Sequence, residues 1–77
     1  MKEQMNLELS SYLKMLRTKY NLSQADIADK LGITRQCYTN WEREPIKLDL
    51  EKLIKIGKVM DEDILIFFNL YIAKRHI

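Results

Sequence analysis

The sequence predicts an all-α protein, a compact five-helix bundle forming a single domain over 1–77. Three observations carry that expectation. Apolar residues recur at three- and four-residue intervals along most of the chain, the spacing of one helical face. Two glycines and one proline are the only strong breakers in 77 residues, too little punctuation for a many-stranded β fold. Ser23, Thr34 and Asp49 stand just ahead of the second, third and fourth periodic stretches, each a good helix N-cap.

The first helix is expected from about Leu7 to Tyr20, with Leu9, Tyr12, Leu13, Leu16 and Tyr20 on its inner face. Asn21 follows as its stop, since asparagine tolerates the left-handed conformation found at helix ends. A second helix, Gln24 to Leu31, turns Ile27, Ala28 and Leu31 inward and ends at Gly32. Asp26 in its first turn suits the positive end of the helix dipole. The third runs from Arg35 to about Arg43, and a connection over Glu44 to Leu48 holds the proline, Pro45.

The fourth helix is expected over Leu50 to Met60, offering Leu50, Leu53, Ile54, Val59 and Met60 to the core. Gly57 within it costs roughly 1 kcal/mol against alanine, which a close approach of another helix would explain. Asp61, Glu62 and Asp63 either favour the N-terminus of a fifth helix, Ile64 to about Lys74, or form a solvated turn.

So short a chain buries a modest share of its surface, and it must rely on tidy helix packing or on a partner subunit. The charge, formally +2 at neutral pH, is compatible with nucleic acid but does not argue for it. Cys37, the single cysteine, cannot form an intramolecular disulfide and suits a reducing compartment. It reads as a small, partly buried side chain. No signal-like or membrane-spanning run is present, so a cytoplasmic location and no membrane partner are expected. The lone histidine, His76, is nearly terminal, Cys37 has no partner base, and no glycine-rich loop opens a helix. No catalytic residue, cofactor or metal site is expected, and an enzyme is not.

The informative stretch is Gln24 to Arg43. A helix-turn-helix needs a small residue where its helices meet, a glycine at the turn and apolar anchors on both inner faces. Ala28, Gly32 and the set Ile27, Leu31, Ile33, Tyr38 and Trp41 meet those needs. Arg35, Gln36, Thr39 and Asn40 are then forced outward. Tyr38 and Trp41 are read as core and not as platforms for stacked bases.

On the run "LSQADIADKLGIT" followed by "YTNWER", the chain resembles the phage-repressor and Cro family of helix-turn-helix regulators, the XRE family. The likeness extends from about Leu13 to Phe68, weakening over "LDLEKLIKIGKVM". It implies a lambda-repressor-like fold and a sequence-specific, double-stranded DNA-binding transcription regulator, more often a repressor. It also implies roles. Gln24 matches a glutamine that grips a phosphate. Arg35, Gln36, Thr39 and Asn40 match positions that face base edges, and their chemistry fits: arginine pairs with guanine, glutamine or asparagine with adenine. Arg43 and Lys47 lie where phosphates are contacted, although Lys47 reads equally as a surface lysine. Arg17 and Glu42 match a structural ion pair between the first and third helices. Glu44 and Asp61 stand where the family often has glycine, a departure that bears on the loop and helix-end geometry and not on the motif.

The fifth helix departs further. Its "ILIFFNLYI" is apolar nearly all round, and a helix of that kind is buried. Ile64, Phe67, Phe68 and Tyr71 can close the core. Leu65 and Ile72, with Phe68 at the edge, then face either a second subunit or a folded-back tail carrying Lys74 and Arg75. A homodimer through about 64–74 is the expectation, and with it a palindromic operator. Compact length and the apolar last helix look like restriction–modification controllers, Cro-like repressors and small antitoxins. An alternative from another class is a protein-interaction module using the same fold to bind a partner protein.

Overall fold

The computed structural model describes residues 2–76, and the side chains of all of these except Lys2, Ile72 and 74–76. Five α-helices follow one another: α1 (Lys2–Lys19), α2 (Gln24–Leu31), α3 (Arg35–Arg43), α4 (Leu50–Val59) and α5 (Leu65–His76). A 3₁₀ turn at Pro45–Lys47 lies between α3 and α4, and no strand occurs among the described residues.

Local chemistry explains most boundaries. Ser23 and Asp26 form a reciprocal capping box: the Asp26 amide donates to Ser23 Oγ at 3.0 Å and the Ser23 amide to Asp26 Oδ2 at 2.8 Å. Thr34 Oγ1 accepts from the Cys37 amide at 3.1 Å, and Asp49 Oδ1 from the Lys52 amide at 2.9 Å. Gly32 closes α2 at φ 72°. A side chain there would meet nothing within 4 Å, so glycine answers to backbone conformation and not to crowding. Asn21 (φ 57°) and Asp61 (φ 54°) adopt the same left-handed conformation after α1 and α4. Asp61 thus does without glycine what its position demands. Glu44, at φ −130°, needs no such latitude.

The core is assembled from Leu9, Leu13 and Leu16 of α1, Ile27 and Ala28 of α2, and Tyr38 of α3, with Leu53, Ile56 and Met60 around α4. Ile64, Phe67 and Tyr71 close it from the C-terminal side, with the Tyr12 and Phe67 rings 5.1 Å apart.

Several expectations need correction. α1 starts five residues earlier than the periodicity implied. Asn6 holds that extension down: its Nδ2 donates to the Arg43 carbonyl at 3.3 Å and its Oδ1 accepts from the Ile46 amide at 3.1 Å. Tyr20 is exposed, its hydroxyl donating to Glu62 Oε1 at 2.7 Å, because the chain leaves the helix just before it. Leu50 is 53% exposed as the first residue of α4, whereas Ile56, absent from the expected core, is fully buried. Gly57 does mark a close approach, but of a connection and not of a helix. A Cβ there would lie 2.7 Å from the Glu62 carbonyl oxygen, and the Glu62 amide donates to the Gly57 carbonyl at 2.9 Å.

Candidate nucleic-acid interface

α3 is two-sided. Tyr38 and Glu42 are fully buried, and Trp41 is half-buried against the core with Lys52 Nζ 5.8 Å from its ring. Arg35, Gln36, Asn40 and Arg43 are exposed; Thr39 is half-buried. Positions 36, 40 and 43 follow one another at helical spacing, so their side chains share one edge.

A carboxylate near the C-terminal end of a helix is disfavoured by the helix dipole, and burial disfavours it further. Glu42 carries both burdens and is satisfied by a dense set of donors. Arg17 grips it with two parallel bonds, Nε to Oε2 at 2.9 Å and Nη2 to Oε1 at 3.1 Å. Gln24 Nε2 adds a third, to Oε1 at 3.1 Å. Burial is the strongest single influence on this carboxyl and opposes its charge. The bonds from Arg17 and Gln24, with the adjacent Tyr38 phenol, outweigh it and hold the carboxyl below the usual range. Burial, followed by the Glu42 charge, pushes the Tyr38 phenol well above its ordinary value. Arg17 also donates through Nη1 to the Leu22 carbonyl at 3.2 Å, tying the α1–α2 turn to the same cluster.

Two residues that sequence reasoning missed support α3 from behind. Ser10 is buried, and its hydroxyl donates to the Glu42 carbonyl at 2.6 Å. Its one available signal was a small polar residue beside Leu9 on the inner stripe. Asn6 caps the Arg43 carbonyl, as described above, and lay outside the expected helix altogether.

The residues expected at a duplex divide into groups. Arg35 lines a shallow notch with Arg17, Ser23, Gln24 and Ala25. Gln36 Nε2 and Arg43 Nη2 both donate to Asn40 Oδ1, at 3.4 and 3.2 Å, joining the exposed edge into a ladder. The Thr39 hydroxyl is turned away from that ladder and donates to Gln24 Oε1 at 2.9 Å. Gln24, expected at a phosphate, is engaged at both ends of its amide and keeps one free N–H. Lys47 lies in the 3₁₀ turn, its Nζ 3.0 Å from Glu44 Oε2. Hydrogen bonding from Lys47 and its charge hold the exposed Glu44 carboxyl below the usual range.

On α5, Leu65 is 42% exposed, while Phe68 is half-buried with its ring set edge-on to Phe67 at 5.4 Å. The Ile72 side chain, expected on the same stripe, lies outside the described residues. Ile66 and Leu70 are exposed as well. Among the described residues no helix is long and apolar enough to cross a membrane, and no three His, Cys, Asp or Glu side chains are grouped to hold a metal.

Comparison with known proteins points the same way as the architecture. The chain is 42% identical over 52 residues to a Bacillus subtilis (strain 168) protein described as the uncharacterized HTH-type transcriptional regulator YqaE. That match covers 68% of this chain but 45% of the relative, so the chain spans less than half of that protein's length. No solved structure matches the chain. A helix-turn-helix family model matches residues 13–67, well over half of the sequence, and the chain belongs to the XRE/Cro-type helix-turn-helix family of transcriptional regulators.

Proposed function

We propose that the protein is a homodimeric, sequence-specific DNA-binding transcription regulator of the cytoplasm. In this reading it is a repressor of the Cro or restriction–modification controller kind. α3 lies in the major groove of a palindromic operator. The observation that carries the reading is the two-sidedness of α3: Tyr38 and Glu42 lock one side into the core while Arg35, Gln36, Asn40 and Arg43 stand exposed on the other. A convex, donor-rich helix edge is the shape and chemistry that major-groove acceptors require. Arg35, Gln36, Thr39 and Asn40 face base edges. Gln24, through its remaining N–H, and Arg43 and Lys47 contact phosphates, which give affinity and salt dependence but no sequence information.

The second subunit docks on α5. Leu65, Ile66 and Leu70 are large apolar side chains left exposed on one short helix, with Phe68 at the margin. Two-fold pairing there places the two copies of α3 about 34 Å apart or a multiple of it, one turn of duplex per step.

Selection of the full chain against a randomised duplex pool, followed by sequencing, tests the reading. Inverted repeats with half-sites about one helical turn apart are the expected product. Failure to enrich any duplex at low salt would favour the protein-interaction alternative and overturn the proposal. Sedimentation equilibrium at micromolar concentration addresses the dimer. The wild type sediments as a dimer and Leu70→Glu as a monomer with unchanged helix content. A wild-type monomer counts against pairing through α5.

A further inference from the structure

The buried cluster beneath α3 extends to the reading face through a single amide. Glu42 is fully buried and, as a carboxylate, can only accept hydrogen bonds. Gln24 must therefore turn its nitrogen towards it, as the 3.1 Å contact from Nε2 to Oε1 shows. The opposite amide orientation would set a carbonyl oxygen against an anion at that distance. With the nitrogen so placed, Oε1 meets Thr39 Oγ1 at 2.9 Å. An amide oxygen cannot donate, so the proton on this line is that of the threonine hydroxyl. Thr39 has one such proton.

The consequence concerns what Thr39 can offer a duplex. It sits one helical turn from Arg35 and from Arg43, and beside Asn40. Arg35, Arg43 and Asn40 retain N–H donors; Thr39 has given up its own and turned its oxygen inward. Its methyl is left. Thymine is the one base with an apolar group in the major groove, its C5 methyl.

We propose that Gln24, held by Glu42, is a positioning residue that keeps the Thr39 hydroxyl bonded to the protein, so that Thr39 selects thymine by methyl contact and not by a donated hydrogen bond. The inference rests on the proposed reading of α3 in the major groove. It turns the bare assignment of Thr39 to a base edge into a definite base and contact.

The test uses the full chain and a panel of duplexes in which each base pair of the selected half-site is changed in turn. Thr39→Ser keeps the bond to Gln24 and deletes the methyl; Thr39→Val keeps the methyl and deletes the bond. Thr39→Ser is expected to lose about fourfold of thymine preference at one base pair, the worth of a single buried methyl. Thr39→Val retains it. Gln24→Met, close in volume but at best a weak acceptor, broadens preference at that same base pair towards guanine, which a freed donor can address. A purely structural or phosphate role for Gln24 would lower affinity equally for every sequence. The reverse pattern, preference kept by Thr39→Ser and lost by Thr39→Val, overturns the proposal, as does a panel on which neither variant changes any position. If the wild type itself shows no base preference, the α3 reading falls, and this inference with it. Wild-type preference with unaltered Thr39 variants sinks the inference alone.

Discussion

The pair α2–α3 and the helix α5 answer the burial problem in opposite ways. α2 and α3 start from side-chain caps, Ser23 and Thr34, and the buried acid of α3 is matched by three hydrogen bonds from Arg17 and Gln24. At the start of α5 Asp63 Oδ1 accepts from the Leu65 amide at 3.0 Å, and the helix leaves Leu65, Ile66 and Leu70 exposed. The first pair completes itself; the last helix does not. That difference separates what the fold stabilises within one chain from the face on which the proposed second subunit would dock.

The largest expected effect probes the self-sufficient half. Glu42→Gln removes the charge that Arg17 and Gln24 converge on and leaves the guanidinium without its counter-ion. Breaking one partner of a buried pair costs on the order of 3–5 kcal/mol. Arg17 keeps 20% of its side chain exposed, which places the cost at about 3 kcal/mol. At about 4–8 °C per kcal/mol for a domain of this size, thermal melting by circular dichroism should show a fall well above 10 °C, by roughly that conversion. The pH dependence has a definite sign. The Glu42 carboxyl lies below its ordinary 4.5 in the folded state. Its contribution is therefore full above pH 4.5 and is lost as pH falls through the lower, folded-state value. Wild type and Glu42→Gln should converge in stability as the solution is acidified below that point. A gap that stays constant would show that the ion pair does not carry the difference.

The same contrast governs what could be read from sequence. The bounds of α2 and α3 coincide with those expected, because their caps and Gly32 are local signals that need no knowledge of the rest of the molecule. The early start of α1 depends on Asn6 reaching the Arg43 carbonyl and the Ile46 amide, some forty positions away. The inward face of α4 was misjudged at Leu50 and Ile56, since both lie in an apolar stretch and packing alone decides between them. At the candidate site, exposure of Arg35, Gln36 and Asn40 follows from the anchors opposite them. The inward turn of Thr39 follows only from the Gln24 amide, an orientation dictated by Glu42 eighteen positions later in the chain.

A change at the α4–α5 joint sharpens the comparison by disturbing the setting of α5 and not the α2–α3 pair. Gly57→Ala would put a Cβ 2.7 Å from the Glu62 backbone oxygen, which has no flexible side chain to move aside. The connection must shift, at about 1–3 kcal/mol for an overpacked site. Glu62 also holds Tyr20 and Lys19, at 2.7 and 3.3 Å, so the movement reaches the end of α1 and the setting of α5. Amide hydrogen exchange should accelerate along α5 while α2 and α3 keep their protection. Uniform acceleration would mean that the two regions unfold as one unit and that the contrast is false.

The smallest effect concerns the edge of the proposed DNA face. Lys47 is expected at a phosphate, yet its ammonium lies 3.0 Å from Glu44, with both side chains well exposed. An acid in that place subtracts from the field a phosphate would meet. Glu44→Gln removes the competing charge without altering the fold, because Glu44 adopts an ordinary negative φ and its carboxylate caps no helix. DNA affinity should rise by about twofold, the scale of one exposed pair, and should rise equally on specific and non-specific duplex. The gain should shrink as salt screens the exposed charges. An increase confined to the specific site would instead mean that Glu44 faces a base. No change at low salt would place Lys47 away from the phosphates, leaving Arg43, the last residue of α3, to make that contact.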